Sequence, residues 1–208
     1  MPENTRDAYA ARAGEYAALL GSVDAMSPVD RRLIGRWSAS VNGRVVDAGC
    51  GPGHWTAFLH ERGLDVEGID PVHPFIQSAT SRFPGVRFRV ASFADLVAEG
   101  VDSAEGLGAI LAWYSLIHLD PAAVPAVLAG FARRLEPGGS LLLGFFAGDA
   151  LAPFDHAITT AYYWPVDEMV GALERAGFEV EEAHTRTDPG SRPHAAIIAR
   201  LGRRPTGG

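Results

Sequence analysis

A chain of 208 residues with a formal charge of −7, 47% hydrophobic and 21% charged side chains reads as one globular domain with a full core. The acidic balance offers no footprint for phosphate backbones, which excludes nucleic acid as a partner, and no apolar run reaches the ~20 residues of a membrane span. A single cysteine, Cys50, forbids internal disulfides, and residues 1–20 lack a signal-peptide pattern, so a cytoplasmic location is expected.

In chain order, Tyr9, Ala13, Tyr16 and Leu20 recur at helical spacing and predict an amphipathic helix over Thr5–Leu20. Ser27-Pro28-Val29-Asp30 predicts a capped helix start, continued through Ile34 and Trp37. Val45-Val46-Asp47-Ala48 is a short apolar run bounded by glycine, as in a buried strand of a parallel sheet. Gly49, Gly51 and Gly53 follow at alternate positions, a turn that glycine negotiates without a Cβ penalty. Trp55, Phe58 and Leu59 repeat helically over His54–Arg62, and Gly63 is placed to stop that helix. Val66–Ile69 predicts a second strand with Asp70 at its tip, twenty-one residues beyond Gly49, where a carboxylate can accept both hydroxyls of a ribose. Bare backbone beside a helix N-terminus lets a ligand lie flush against the chain. The unit predicts a nucleoside-containing ligand at the C-terminal ends of parallel strands.

A dinucleotide fingerprint needs a third glycine where this chain has His54. The run is instead Asp47-x-Gly49-x-Gly51-x-Gly53, and its leading acid suits a positive amine better than a pyrophosphate. This motif, with Asp70, resembles the first motif of the class I S-adenosylmethionine-dependent methyltransferases, and the resemblance extends over nearly the whole chain. It implies S-adenosyl-L-methionine as cofactor, S-adenosyl-L-homocysteine as product and no metal. It also implies cofactor contacts at Asp47, Gly49, Gly51, Gly53, Asp70 and Pro71, under an N-terminal helix that brings Tyr9 and Tyr16.

Beyond Pro71, Phe75–Phe83 predicts a helix stopped by Pro84-Gly85, and Val86–Val90 alternates as a third strand. Relatives carry an acid near this tip for the adenine amino group. Here Ser92 and Phe93 hold the nearest positions, with Asp95 further on, so Ser92 and the Phe93 backbone are expected in that role. Gly108–Trp113 predicts a buried strand whose end, Ala112 and Trp113, should lie beside the cofactor. Val124, Val127, Leu128, Phe131 and Leu135 form one apolar stripe, closed by Glu136-Pro137-Gly138-Gly139 before a strand over Ser140–Phe146. That succession is a further trait of the family. Residues 147–163 show no clear period but are rich in aromatics, which reads as a functional loop. Val166–Ala176 predicts a helix, Phe178–His184 and His194–Leu201 two final strands without a helix between them, and Arg203–Gly208 a frayed tail. The expected fold is α/β, a Rossmann-like doubly wound sheet of seven strands. By resemblance its order is 3-2-1-4-5-7-6 with strand 7 antiparallel, and ligands sit at the switch between strands 1 and 4. The expected single domain comprises N-terminal helices over 1–40, an α/β core over 41–201 and a flexible tail over 202–208.

Methyl transfer from a sulfonium is an in-line displacement, so positioning carries much of the catalysis, and a neutral hydroxyl or amine acceptor gains from a base. His118, five residues past Trp113, is the candidate base and His156 the second. Histidines at 54, 60, 73, 118, 156, 184 and 194 show no paired ligand spacing, so no metal is expected, and Cys50 within the glycine turn reads as packing. Tyr114, Phe146, Phe154, Tyr162, Tyr163 and Trp164, with Trp113, would wall in an apolar or aromatic small molecule. The expected activity is methylation of such an acceptor, at oxygen before nitrogen or carbon, in natural-product biosynthesis. The alternatives are a cyclisation or rearrangement that keeps the same cofactor, a nicotinamide oxidoreductase, against which His54 argues, and a binding module with a vestigial pocket. No oligomeric state follows from the sequence.

Overall fold

The computed structural model describes residues 3–20, 22–98 and 106–202; the tail Arg203–Gly208 lies outside them. Two short helices, α1 (Glu3–Ala11) and α2 (Ala13–Leu20), stand where one was expected. The break falls at Arg12, whose N–H reaches back three residues to the Tyr9 carbonyl, a tighter turn than the α-helix uses. α3 (Pro28–Ser38) starts as its sequence dictates, with Pro28 in the first turn and Ser27 Oγ accepting from the Val29 N–H at 3.3 Å.

From there strands and helices alternate: β1 (Val45–Ala48), α4 (His54–Glu61), β2 (Val66–Asp70), α5 (His73–Arg82), β3 (Arg87–Val90), α6 (Phe93–Ala98), β4 (Leu107–Trp113), α7 (Val124–Arg134) and β5 (Leu135–Ala147). The strands pair in parallel in the order β3-β2-β1-β4-β5. After a hairpin of β6 (Ala152–Asp155) and β7 (Thr160–Trp164) come α8 (Val166–Arg175), β8 (Phe178–Arg186) and β9 (His194–Leu201). β9 runs antiparallel along β5 and β8 antiparallel along β9, which reproduces the expected order with β8 and β9 as its sixth and seventh strands.

Among the described residues the sheet has nine strands rather than seven, because residues 147–163 hold a hairpin rather than an irregular loop. β5 outruns β4, which ends opposite Gly144, and the freed edge at Phe146 and Ala147 pairs in parallel with Tyr163 and Trp164. Unpaired backbone groups there would be costly to bury, and β7 satisfies them.

Both faces of the sheet are covered, so the central strands are apolar throughout. Ile110, Leu141 and Leu143 pack with Leu96, Leu128, Phe131 and Leu173 of α6, α7 and α8. The intervening residues, Leu111 and Leu142, pack with Ile34, Trp37, Trp55 and Leu59 of α3 and α4. Trp37 Nε1 donates to Ser140 Oγ at 2.9 Å, a buried bond tying α3 to β5. No helix among the described residues is long and apolar enough to cross a membrane.

Candidate active site

A cavity of about 320 Å³ opens at the C-terminal tips of β1, β2 and β4, bordered by Tyr9 and Tyr16 from α1 and α2. Its floor is the glycine turn. Gly49 has φ +80°, and a Cβ there would lie 2.3 Å from the Ser115 Cβ, so packing alone demands glycine. Gly51 has φ +53° but nothing within 4 Å of its would-be Cβ, leaving bare backbone against open space. A Cβ at Gly53 would strike Ala79 and the Phe88 ring at 2.7 Å.

Two carboxylates stand beside this turn. Asp70 accepts from the N–H groups of Gly51 at 3.0 Å and Val72 at 2.8 Å. Burial pushes its pKa up to about 6 even against those two bonds. Asp47 accepts from the Thr56 hydroxyl at 2.7 Å, and burial pushes it up to about 7, with the nearby Asp70 charge adding. Each is a buried acid short of counter-charge. A ligand offering hydroxyls to one and an ammonium to the other would relieve both.

The opposite wall carries His118. Its Nδ1 lies 2.7 Å from the Thr160 carbonyl and its Nε2 2.7 Å from the Tyr9 hydroxyl. A carbonyl only accepts, so this network assigns the proton to Nδ1 and leaves Nε2 as the acceptor for Tyr9. Burial lowers the His118 pKa while the Thr160 bond opposes it, and desolvation raises that of Tyr9. The His156 ring lies 5.1 Å from that of His118, its pKa lowered to about 4 by burial and neighbouring positive charge.

A second tyrosine–histidine pair lies across the cavity. Tyr114 directly follows β4 with φ +53°, the single positive-φ side chain among the described residues, and its hydroxyl is 2.5 Å from His194 Nδ1. His194 begins β9 and packs on Phe146, its register partner on β5. The sequence gives His194 no such role, since only β5–β9 pairing brings it to Tyr114, eighty positions away.

Of the site residues singled out in the sequence, all line this cavity except Gly53, Ala112, Phe154, Tyr162, Tyr163 and Trp164. Gly53 caps α4, while Ala112 and Trp164 are buried in the core. Tyr162 packs against that core, and its N–H bonds the Ile117 carbonyl. Phe154 stacks on Tyr163 at 4.2 Å, with the Arg192 guanidinium 4.6 Å from the Phe154 ring centre. The Ser92 hydroxyl bonds Asp95, which in turn accepts from the Ser92 N–H, a reciprocal cap on α6. Sequence reasoning passed over His54, Ser115 and His194, which also line the cavity. Among the described residues no three His, Cys, Asp or Glu side chains converge as metal ligands would.

The sequence profile of the family described as "Methyltransferase domain" matches residues 45–139. Trans-aconitate 2-methyltransferase of Methylobacterium nodulans is 35% identical over 111 residues, 52% of this chain and 40% of that protein. The S-adenosyl-L-methionine-dependent Diels-Alderase iccD of Talaromyces variabilis is 29% identical over 120 residues, 55% of this chain and again 40% of that protein. The chain thus spans less than two thirds of the length of these curated relatives. In fold it is similar to the Burkholderia thailandensis 1,6-didemethyltoxoflavin-N1-methyltransferase, solved with 1,6-didemethyltoxoflavin and S-adenosylhomocysteine. The TM-score is 0.77 at 21% identity, covering 96% of this chain and 88% of that one.

Proposed function

We propose that the chain acts as a class I S-adenosylmethionine-dependent methyltransferase and methylates a small, largely apolar or aromatic acceptor, at oxygen first, in natural-product biosynthesis. The site suits the cofactor: Asp70 can take the ribose hydroxyls, Asp47 the methionine ammonium, and the open face of Gly51 leaves room for close approach. When bound, S-adenosylmethionine supplies a methyl group activated on a sulfonium. The chain's own residues then have to hold the acceptor in line and receive its proton.

The observation that carries the reading is the fixed tautomer of His118. Thr160 holds the Nδ1 proton and orients the ring, which leaves Nε2 as the basic nitrogen on the cavity side. An acceptor hydroxyl entering the cavity would replace the Tyr9 hydroxyl at Nε2 and lose its proton there. The low His118 pKa keeps the nitrogen free of a proton near neutral pH.

His118→Ala should lower turnover by ~10²–10⁴ and leave S-adenosylhomocysteine affinity nearly unchanged. In the parent, turnover should fall on the acid side with a midpoint below ~6.5, the unperturbed histidine value. Parental turnover in the variant would reduce the mechanism to positioning. Calorimetry with S-adenosylhomocysteine and with NAD separates this reading from a nicotinamide enzyme, which tight NAD binding alone would establish.

Similarity to the Diels-Alderase supports a second reading, a cyclisation with the same cofactor bound. Product mass decides between them, since only methylation adds a methylene unit to the acceptor.

A further inference from the structure

His54 is the first residue of α4, directly after the glycine turn, and it is 8% exposed. Neither of its ring nitrogens has a hydrogen-bond partner, although both are buried and the residue lines the cavity. Leaving two buried polar atoms unpaired is costly, and such atoms call for an explanation. Ser115 Oγ, on the cavity wall above Gly49, is likewise buried and unpaired. Burial and the Arg82 charge push the His54 pKa down to about 4, so the ring is neutral, with one donor and one acceptor.

The strand order locates what His54 could meet. Asp70 sits at the tip of β2, Ser92 and Phe93 follow β3 on one side, and the β1 turn and β4 tip lie on the other. A nucleoside held by its ribose at Asp70 and carrying an ammonium at Asp47 would lie along the glycine turn between the two carboxylates. His54 begins α4 directly after the glycine turn that follows β1, on the wall of the cavity that Asp47 and Asp70 also line. An amino-acid end there is a zwitterion. Asp47 suits its ammonium, and the carboxylate needs a donor that Asp47 is not.

We propose that His54 binds the carboxylate of the amino-acid end of the nucleoside cofactor, donating a ring N–H to it. This rests on the cofactor reading above and deepens it, assigning to His54 the discrimination between a complete cofactor and nucleosides that lack the amino-acid end. Burying the ring unpaired in the free protein costs stability that the ligand's carboxylate returns.

Calorimetry with two probes tests the assignment: S-adenosylhomocysteine, which carries the amino-acid end, and 5′-methylthioadenosine, which lacks it. His54→Ala should bind S-adenosylhomocysteine about 10- to 100-fold more weakly, the range for one bond to a charged group, with 5′-methylthioadenosine affinity unchanged within about twofold. His54→Gln, which keeps a donor, should recover most of the loss and serves as the folded control. Equal loss for both probes would make His54 a packing residue, and no loss for either would remove it from the site; both overturn the proposal. A parent chain that binds neither probe would overturn the cofactor reading itself, and this assignment with it.

Discussion

Asp47 and Asp70 are held at a cost in the free protein. Their pKa values, about 7 and about 6, stand above the unfolded carboxylate value near ~3.9. A group whose native pKa is raised stabilises the fold fully below the unfolded value and loses that contribution as pH rises through the native one. The contribution of these two acids should therefore fall between about pH 4 and 7, against the opposite contribution of the buried His54 and His156 with their lowered pKa values, and Asp47→Asn should tilt the slope toward rising stability while keeping an acceptor for Thr56. Urea titrations of parent and variant across that range check it; parallel slopes would contradict it. A ligand ammonium favours ionised Asp47, so S-adenosylhomocysteine binding near pH 6.5 should release protons. The sign of that release can be read from calorimetric enthalpies in buffers of different ionisation heat. At the glycine turn, Gly51→Ala meets only a backbone penalty, ~1–3 kcal/mol, whereas Gly49→Ala adds the clash with Ser115 and should destabilise more. Residue by residue, the positions of Asp47 and Asp70 at strand tips were legible from their spacing around the glycines. The Tyr114–His194 bond was not, because nothing local in the sequence joins a residue after β4 to the first residue of β9.

Among the elements, the β6–β7 hairpin departs furthest from the sequence. Thr160–Trp164 does not alternate cleanly in burial, since β7 pairs with only two residues of β5 and leans on the core beneath it. Its strand character comes from the overhang of β5 beyond β4, a tertiary fact invisible to periodicity. Aromatic packing holds the hairpin: Phe154 lies between Tyr163 and the Arg192 guanidinium. Phe154→Ala should cost ~0.5–1.5 kcal/mol from the ring pair alone and open residues 148–160 to protease. Through Phe146, which Phe154 meets edge-on at 5.3 Å, it should raise the acceptor KM more than it lowers S-adenosylhomocysteine affinity. Equal effects on both ligands would mean that the hairpin supports the whole cavity.

The whole molecule follows from alternation. Apolar strands too short for helices, separated by amphipathic helices, leave a doubly wound sheet as the arrangement that buries both faces. That is why the doubly wound sheet was readable, its strand order coming from the family resemblance, while the added hairpin was not. The helices α1 and α2 are anchored chiefly through Tyr9 and Tyr16, which pack on Phe75 of α5, and through Arg12, which bonds the Ala157 carbonyl. Because both tyrosines line the cavity, ligand should tighten these helices more than the sheet beneath. Hydrogen exchange should slow in residues 3–20 on adding S-adenosylhomocysteine, with little change in β4 and β5. At 100 times its Kd the ligand should raise global stability by about 2.7 kcal/mol.

The bond between Tyr9 and His118 bears on how a turn of the reaction ends. On the proposed O-methylation, an incoming hydroxyl would take the phenol's place at Nε2, one hydrogen bond exchanged for another. Methylation would then erase the donor that secured the exchange, because an ether oxygen has no proton to offer. The imidazole, carrying the proton it had taken, would have to shed it to the solvent before Tyr9 could donate to Nε2 again. Resetting the phenol and expelling the product would thus be coupled through that one proton.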